Sequence, residues 1–406
     1  MKNFLKLTAF ILILSISSFV MPNKAEATQT YETTIDSTTT LVTGGTGGFS
    51  PSLLSLGANL LSVAYSDSQD DGWIKTISIS SGVSVVDTLE YDTNTGRFPS
   101  LFSLDSTHFG VVYTGPGNDG YIETFSHSSG ASITEIDSNE FEPIDWIRSN
   151  SVEINSTHFI TAGYKYASSS NITFQVVTFS VDGSFVSTEI DRDIFTGSTP
   201  MPDNNNIIEK LSSTKYVVAF IDTSGNVRIA TYTIDGSYIL TRVDDITPAT
   251  SSYSDVSIVP LDETHFMAIY TRNGADQTMQ TFSVDSGNDN ITLIDTWSNP
   301  SDTSLENEGV KIQDGVIAVA RKNVSGDGIL NIVTYDGSFI ISQQPDLIFE
   351  SGTITTFSPI RIAHLGSGKL AITYAERTLA PFNLKLVLAT VNLDEPVNNT
   401  GFFNFF

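Results

Sequence analysis

The sequence predicts an all-β protein: seven copies of a four-stranded unit, closed into a ring. Three observations predict it. First, residues 51–86 align without gaps on 99–134, with PSLLSL on PSLFSL, SVAYS on GVVYT, DDGWIKT on NDGYIET and SSGVS on SSGAS. Second, one pattern recurs along the chain, as LDSTHFGVVYT (104–114), INSTHFITAGY (154–164), LSSTKYVVAF (211–220) and LDETHFMAIYT (261–271). LGANLLSVAYS (56–66), GVIAVAR (315–321) and LGSGKLAITYA (365–375) are weaker copies. Third, a Thr before an aromatic or β-branched residue marks each copy: Thr76, Thr124, Thr178, Thr231, Thr281, Thr334 and Thr390, spaced 48 to 56 apart. A period near 50 made only of strand-like pieces means stacked β units, because such a unit buries its faces only against its neighbours.

Within a unit the strands can be read in order. In the second copy strand A is PSLFSL, strand B FGVVYT, strand C GYIETFS and strand D SITEID. Apolar and polar residues alternate in several of these, and turn residues separate them. Asp-Gly-Ser at 182–184, 235–237 and 336–338 marks the C–D turns, where Gly is expected at positive φ. No segment beyond the N-terminal leader shows helical periodicity.

Ring closure is also legible. Strand D carries Val86-Asp87, Ile136-Asp137, Ile190-Asp191, Val243-Asp244 and Ile294-Asp295, and the sixth copy lacks the pair. The seventh copy ends at strand C, near Asp394, while Tyr31–Val42 holds Ile35-Asp36 with no strand C before it. The N-terminal strand, about 31–42, is therefore expected to complete the last unit and remove two open sheet edges. This closure resembles that of the β-propeller superfamily, over residues 29–394. The resemblance implies a seven-bladed β-propeller, but WD40 Trp-Asp pairs and kelch double glycines are both missing.

Composition bounds the function. The chain has 46 Asp and Glu against 20 Lys and Arg, a net charge of −26. That field disfavours nucleic acid and anionic lipid, and favours solubility and cations. There are no Cys residues, which excludes disulfides, thiolate metal sites and lipoprotein anchoring. Lys2 and Lys6, the apolar run Leu7–Met21 and Ala25-Glu26-Ala27 read as a secretory signal peptide over 1–27. Its apolar run is too short to span a bilayer. Removing it takes away Lys2, Lys6, Lys24 and Glu26, a net +2, and leaves −28. The expected product is a secreted or envelope-associated monomer over 28–395, with an apolar tail, 396–406, ending in GFFNFF (401–406). Asn155, Asn171, Asn290, Asn323 and Asn398 begin Asn-x-Ser/Thr sequons.

The chemistry-bearing residues point to binding rather than to reaction. His108, His158 and His265 occupy one repeat position in A–B turns of different blades, so they cannot converge on one metal ion and are read as turn residues. His127 and His364 are isolated and read as structural. The Asp-Gly-Ser turns sit where sialidase-like propellers carry Asp boxes, but the following Thr-Trp is missing. Arg361 and Arg321 are the candidates for gripping a sugar carboxylate. Paired carboxylates for glycoside hydrolysis have no diagnostic spacing here, and no Gly-x-Ser-x-Gly elbow or phosphate-binding Gly loop occurs.

Consecutive loops of an up-and-down blade alternate between the two ends of the ring, so B–C and D–A loops share one end. That end carries the long loops, many acids and all three Trp residues. Asp67, Asp70 and Asp71 crowd one B–C loop and offer oxygen ligands for calcium, against the alternative of a solvated acidic turn. Asn118-Asp119-Gly120 and Asp327-Gly328 occupy equivalent loops. Asp70, Asp71, Trp73, Asn118, Asp119, Tyr121, Trp146 and Trp297 are the candidate ligand-binding residues. Trp and Tyr beside carboxylates and amides suit a sugar; the alternative is that the rings fill gaps between blades. The expected role is a non-enzymatic recognition module for a glycan or a surface protein, set against a secreted glycan-active hydrolase and a structural envelope protein.

Overall fold

Near-continuous apolar runs such as FGVVYT and YVVAFI bury both sheet faces at the middle of each unit, and the computed structural model shows what they pack into. It describes residues 31–43, 49–57, 59–128, 130–168, 171–195, 207–250, 253–272, 277–299, 304–352, 354, 359–376 and 383–393. The signal segment 1–27, Asn398 and the tail 396–406 lie outside the described residues.

Seven antiparallel sheets follow one another around a ring. In order A to D, blade I is Phe49–Gly57, Leu60–Ser66, Gly72–Ser78 and Ser84–Asp92. Blade II is Arg97–Ser103, His108–Thr114, Gly120–His127 and Ile133–Glu142. Blade III is Trp146–Asn155, His158–Ser168, Asn171–Val181 and Ser187–Ile194. Blade IV is Ile207–Lys210, Lys215–Ile221, Val227–Ile234 and Leu240–Ala249. Blade V is Tyr253–Asp262, His265–Arg272, Gln277–Val284 and Ile291–Asn299. Blade VI is Ser304–Gln313, Val316–Asn323 and Gly328–Tyr335, with strand D broken into Ile341–Gln343 and Leu347–Glu350. Blade VII is Arg361–Gly366, Lys369–Glu376 and Asn383–Val391, completed by the N-terminal strand Thr33–Val42. That strand runs antiparallel to strand C from Thr33 opposite Val391 to Val42 opposite Leu384, as the repeat analysis requires.

The residues that mark the repeat are the latches between blades. Thr76, Thr124, Thr178, Thr231 and Thr281 are buried, and each donates its hydroxyl to a carbonyl in the C–D turn of the next blade: Ala131, Phe185, Tyr238, Asp289 and Phe339. The strand-D aspartates reach the same turns. Asp87, Asp191, Asp244 and Asp295 accept from the backbone N–H of Ile133, Leu240, Ile291 and Ile341, two residues beyond the Thr contact, at 2.7–2.9 Å. Blade VI lacks the aspartate, and its Thr334 turns back to Ser342 O within its own blade. At the closing blade Thr390 donates to Asp36, tying strand C to the N-terminal strand.

The turns themselves correct one expectation. Gly183, Gly236 and Gly337 do not take the positive φ; the aromatic two places on does, at Phe185 (62°), Tyr238 (63°) and Phe339 (61°). Asp182 explains the shift: its carboxylate accepts from the N–H of Ser184 and of Val186, so it caps the whole turn and places the left-handed residue at its end. A left-handed aromatic is strained, and the ring contacts of the preceding blade offset that strain. His108 stacks on Phe185 at 3.7 Å, His158 on Tyr238 at 3.5 Å and His265 on Phe339 at 3.8 Å. The other edge of each imidazole is fixed by its own A–B turn, with Nδ1 2.9–3.1 Å from Asp105, Asn155 and Asp262. Where the fourth copy has Lys215 in place of His, the facing residue is Asp289 in place of an aromatic, and the two form an ion pair. The A–B and C–D end of the ring is thus committed to holding blades together.

Candidate functional site

The opposite end is formed by the B–C and D–A connections. In blade I the loop is built around Asp67, which is 2% exposed. One of its oxygens accepts from the N–H of Gln69 at 2.8 Å and of Asp71 at 3.1 Å, and the other from Trp73 Nε1 at 3.2 Å. The same device shapes the loops at Asp222, capped onto Ser224 and Asn226, and at Asn323, capped onto Ser325 and Asp327. Asp70 takes a positive φ of 70° and pairs with Arg97 from the following blade, while its carbonyl receives Gly96 N–H. Asp71 keeps its carboxyl partly exposed; desolvation and then Asp67, Asp92 and Asp70 raise its pKa.

The three carboxylates expected as calcium ligands are engaged separately. Asp67 spends both oxygens on its own loop, Asp70 is neutralised by Arg97, and Asp71 is left alone. Among the described residues no group of three or more His, Cys, Asp or Glu is placed to hold a metal ion.

Blade II presents Asn118 at φ 67° in a tight 3-10 turn over Pro116–Asn118, followed by Asp119. Desolvation and the carboxylates of Glu140, Asp145 and Glu142 raise the Asp119 pKa. Tyr121 lies across Gly115, where an added Cβ would come within 2.2 Å of the ring, and its hydroxyl donates to Glu140 at 3.1 Å.

The four aromatic candidates do not share one platform. Each belongs to a different seam: half-buried Trp73 packs between blades VII and I, Tyr121 between I and II, and Trp297 between V and VI. Trp146 fills the seam between II and III and is 0% exposed. Its indole donates to Ser149, its carbonyl receives Thr114, and Gly163 is needed because a Cβ there would meet the ring at 2.5 Å. Trp146 has no face left for a ligand, so its place among the binding residues is withdrawn in favour of the gap-filling alternative. The signal that misled was loop proximity: Trp146 opens strand A, but that end of the strand is roofed by Phe141 at 5.1 Å.

The central channel holds groups that no motif disclosed. Adjacent innermost strands are joined by side chains that accept backbone N–H groups from the next blade: Ser52 from Leu101, Ser100 from Ser151, Asn150 from Ile208, Asp255 from Asn307 and Glu308 from Ile362, at 2.6–3.0 Å. A backbone N–H on the open inner edge of blades II, III, IV, VI and VII is thereby satisfied, which gives these polar residues a role near the axis. Some of them are acids. Desolvation pushes the Glu209 carboxyl up to about 8, with Glu308 adding to the rise, and Glu308 up to about 7 against the pull of Arg361; it raises Glu306 too, against the pull of Lys322. Each keeps some solvent contact through the channel while protein surrounds it. Arg361 lies 3.9 Å from Glu308, and Lys322 3.8 Å from Glu306. At the loop end of the channel Ser50, Phe98, Pro99, Arg148, Ser149, Pro359 and Arg361 line a cavity of about 20 Å³, room for one water. Arg148 sits over the Phe98 ring at 4.9 Å. Of the two arginines singled out from sequence, Arg361 reaches this mouth. Arg321 instead is buried on strand B of blade VI, bonded to Asn331 and Asp346.

No helix among the described residues is long and apolar enough to cross a membrane. No family model matches the chain, and no curated protein matches it in sequence. Solved structures match its fold. A lectin from Burkholderia pseudomallei superposes with a TM-score of 0.63 at 9% identity, over 87% of this chain and 99% of the lectin. A putative 6-phosphogluconolactonase from Bacteroides fragilis gives 0.55 at 10% identity, over 80% and 97%. A periplasmic gluconolactonase from Pseudomonas aeruginosa gives 0.52 at 12%, over 74% and 86%. At such identities the likeness is one of fold.

Proposed function

We propose that this protein is a secreted recognition module that binds carbohydrate at the loop end of its ring. One observation carries the reading: the two ends are unequally committed. The A–B and C–D end is occupied by Thr, Asp and His latches repeated from seam to seam. The B–C and D–A end instead presents acids, amides and half-buried aromatic rings, set on loops that their own Asx caps hold rigid. Rigid loops on a fixed scaffold are where binding groups usually sit, and rings beside carboxylates are what a sugar's apolar face and hydroxyls need. The lectin among the structural neighbours agrees with this reading. A net charge of −26 favours neutral or cationic glycans. A glycan array tests the proposal: binding to neutral glycans is expected, and an array silent for every glycan class would sink it.

A second reading rests on the channel. The Glu308 carboxyl, raised to about 7 beside Arg361, and that of Glu209, raised to about 8, are the kind of groups that serve acid–base chemistry, and two of the neighbours are gluconolactonases by name. Polysaccharides and sugar lactones incubated with the protein would then yield new reducing ends or ring-opened acid, and Glu308→Gln would abolish the yield. Product formation that survives this change would remove the channel from the chemistry.

A further inference from the structure

Blades II to VI each push a C–D turn onto the blade before them, held by combinations of the Thr, Asp and His contacts described above. Among the described residues, the seam between blades VI and VII has none of the three. Ile332 pairs with Ala318 as Thr281 pairs with Met267, so an apolar side chain stands at the latch position. Val316 pairs with Gln313 as His265 pairs with Asp262, so no imidazole is there to stack. The broken strand D of blade VI carries no aspartate. Blade VII in turn has no continuous C–D turn, because its strands C and D come from distant parts of the chain. One bond of that turn survives: the Asn392 N–H donates to Glu32 O at 2.8 Å, as the Asp182 N–H donates to Val186 O in blade III.

A cavity of about 650 Å³ opens at this place, within the roughly 300–1,000 Å³ of sites that take small molecules. Gln313 and Ser367, from the A–B turns of blades VI and VII, stand on its rim with Glu32 and Thr34 at the start of the closing strand and Asn392 just beyond strand C. All five are exposed, so a ligand meets them directly from solvent. Val391 and Leu393 supply the apolar part of the wall and belong to the cluster of Ile312 and Val316. Two amides and two hydroxyls can each donate and accept, while the Glu32 carboxylate only accepts. Thr34 donates its hydroxyl to Asp36 at 3.3 Å, which leaves its lone pairs to accept. None of the described lining residues is Lys or Arg, so a phosphate or carboxylate would meet Glu32 with nothing to offset it. A bare metal ion would find one carboxylate in a space many times its size. A guest with several hydroxyls and an apolar C–H face matches the whole set. Ser367 adds a mark of its own: it takes φ 50° between Gly366 at 90° and Gly368 at 72°. A left-handed residue other than Gly, Asn or Asp is costly, and such strain gathers at ligand sites; here it sets a hydroxyl on the rim.

We propose that the unlatched seam between blades VI and VII is a second ligand site, which takes a neutral sugar of one or two rings through Gln313, Ser367, Asn392, Thr34 and Glu32. It lies at the opposite end of the ring from the loop-end site and does not depend on that reading. The test uses the full chain with methyl glycosides of glucose, galactose, mannose and N-acetylglucosamine, and with maltose and cellobiose, at millimolar concentration. Affinity is measured by calorimetry, alongside the ligand-induced rise in melting temperature. Ser367→Gly removes the hydroxyl and relieves the backbone, so the fold does not suffer. With Gln313→Ala it is expected to weaken the best ligand by roughly threefold to tenfold, the loss of one hydrogen bond. Gln313→Trp fills the cavity from an exposed turn and is expected to abolish binding while the unliganded protein melts as wild type. A best ligand indifferent to all three changes but weakened by Trp73→Ala would overturn the cavity and leave the loop-end reading standing. Failure of every one of these sugars to bind the wild type would also overturn the cavity, and the loop-end reading would then rest on the glycan array alone.

Discussion

At one end of the ring Thr178, Asp191 and His158 all reach into the next blade's C–D turn; at the other, Asp67 caps its own loop, and Trp73 is held to that cap. The first end is built from contacts between blades and repeats with the period of the sequence. The second is built largely from contacts within a loop and varies from blade to blade. The contrast teaches that repetition in this chain records assembly, whereas recognition is expected where repetition lapses. Blade VI, with its broken strand D, is the clearest such lapse.

The sharpest way to break the assembly side is to remove its last contact. A chain beginning at Gly44 lacks the strand that pairs with Asn383–Val391 and leaves the last blade with an open edge. Aggregation or loss of a cooperative melt is expected, and a melting temperature equal to wild type would refute the closure.

Trp146→Ala and Trp73→Ala set a fully buried seam ring against a half-buried one. The first removes a fully buried ring and should cost about 3–5 kcal/mol by chemical denaturation. The second should cost clearly less, since Trp73 is half-buried and its indole bond is with the loop. Equal losses would erase the distinction drawn between the two rings.

Acid–base behaviour separates the interior from both ends. Burial pushes the Glu123 carboxyl from 4.5 up to about 8, against the hydrogen bonds it receives from Tyr113 at 2.6 Å and Ser138 at 3.1 Å. An acid whose folded pKa is raised costs nothing below its unfolded value, where both states are protonated. From about pH 4.5 the unfolded chain ionises first, and stability falls until the pH passes about 8. Glu123→Gln should therefore be near neutral at pH 4 and stabilising at pH 8, on the order of 2–4 kcal/mol. The fifth blade already uses this pairing, with Tyr270 donating to Gln280. Urea melts at both pH values check it, and a gain that does not grow with pH would be contrary evidence.

Thr178→Val keeps the shape of one latch and deletes its hydroxyl, leaving the Tyr238 carbonyl without that donor. A loss of about 1–3 kcal/mol is expected, with glycan affinity untouched. Smallest of all is the exchange between the two latch chemistries. Lys215→His together with Asp289→Phe would turn the ion pair between blades IV and V into the stack found at its neighbours. The two single changes should each destabilise, and the double-mutant cycle should return a favourable coupling of about 0.5–1.5 kcal/mol. Zero coupling would show that the two residues do not act as a pair.

The sequence by itself determined the number of blades, the strand order within each and the identity of the closing strand, because each rests on a local pattern repeated about every 50 residues. It also determined that His108, His158 and His265 serve turns, since equivalent positions on a ring cannot meet. What it left open were facts of neighbourhood. Trp73, Trp146 and Trp297 look alike in sequence, yet only the packing of Phe141 over Gly163's blade buries Trp146 completely. Whether Asp67 serves an ion or its own turn depends on what its oxygens meet, and in the fold they meet Gln69, Asp71 and Trp73. The channel acids Glu209, Glu306 and Glu308 come from strands of two different blades, IV and VI, brought to one axis. A repeat fixes which side of a strand is buried, but what a side chain meets there belongs to the next blade, and only the closed ring brings those two segments together.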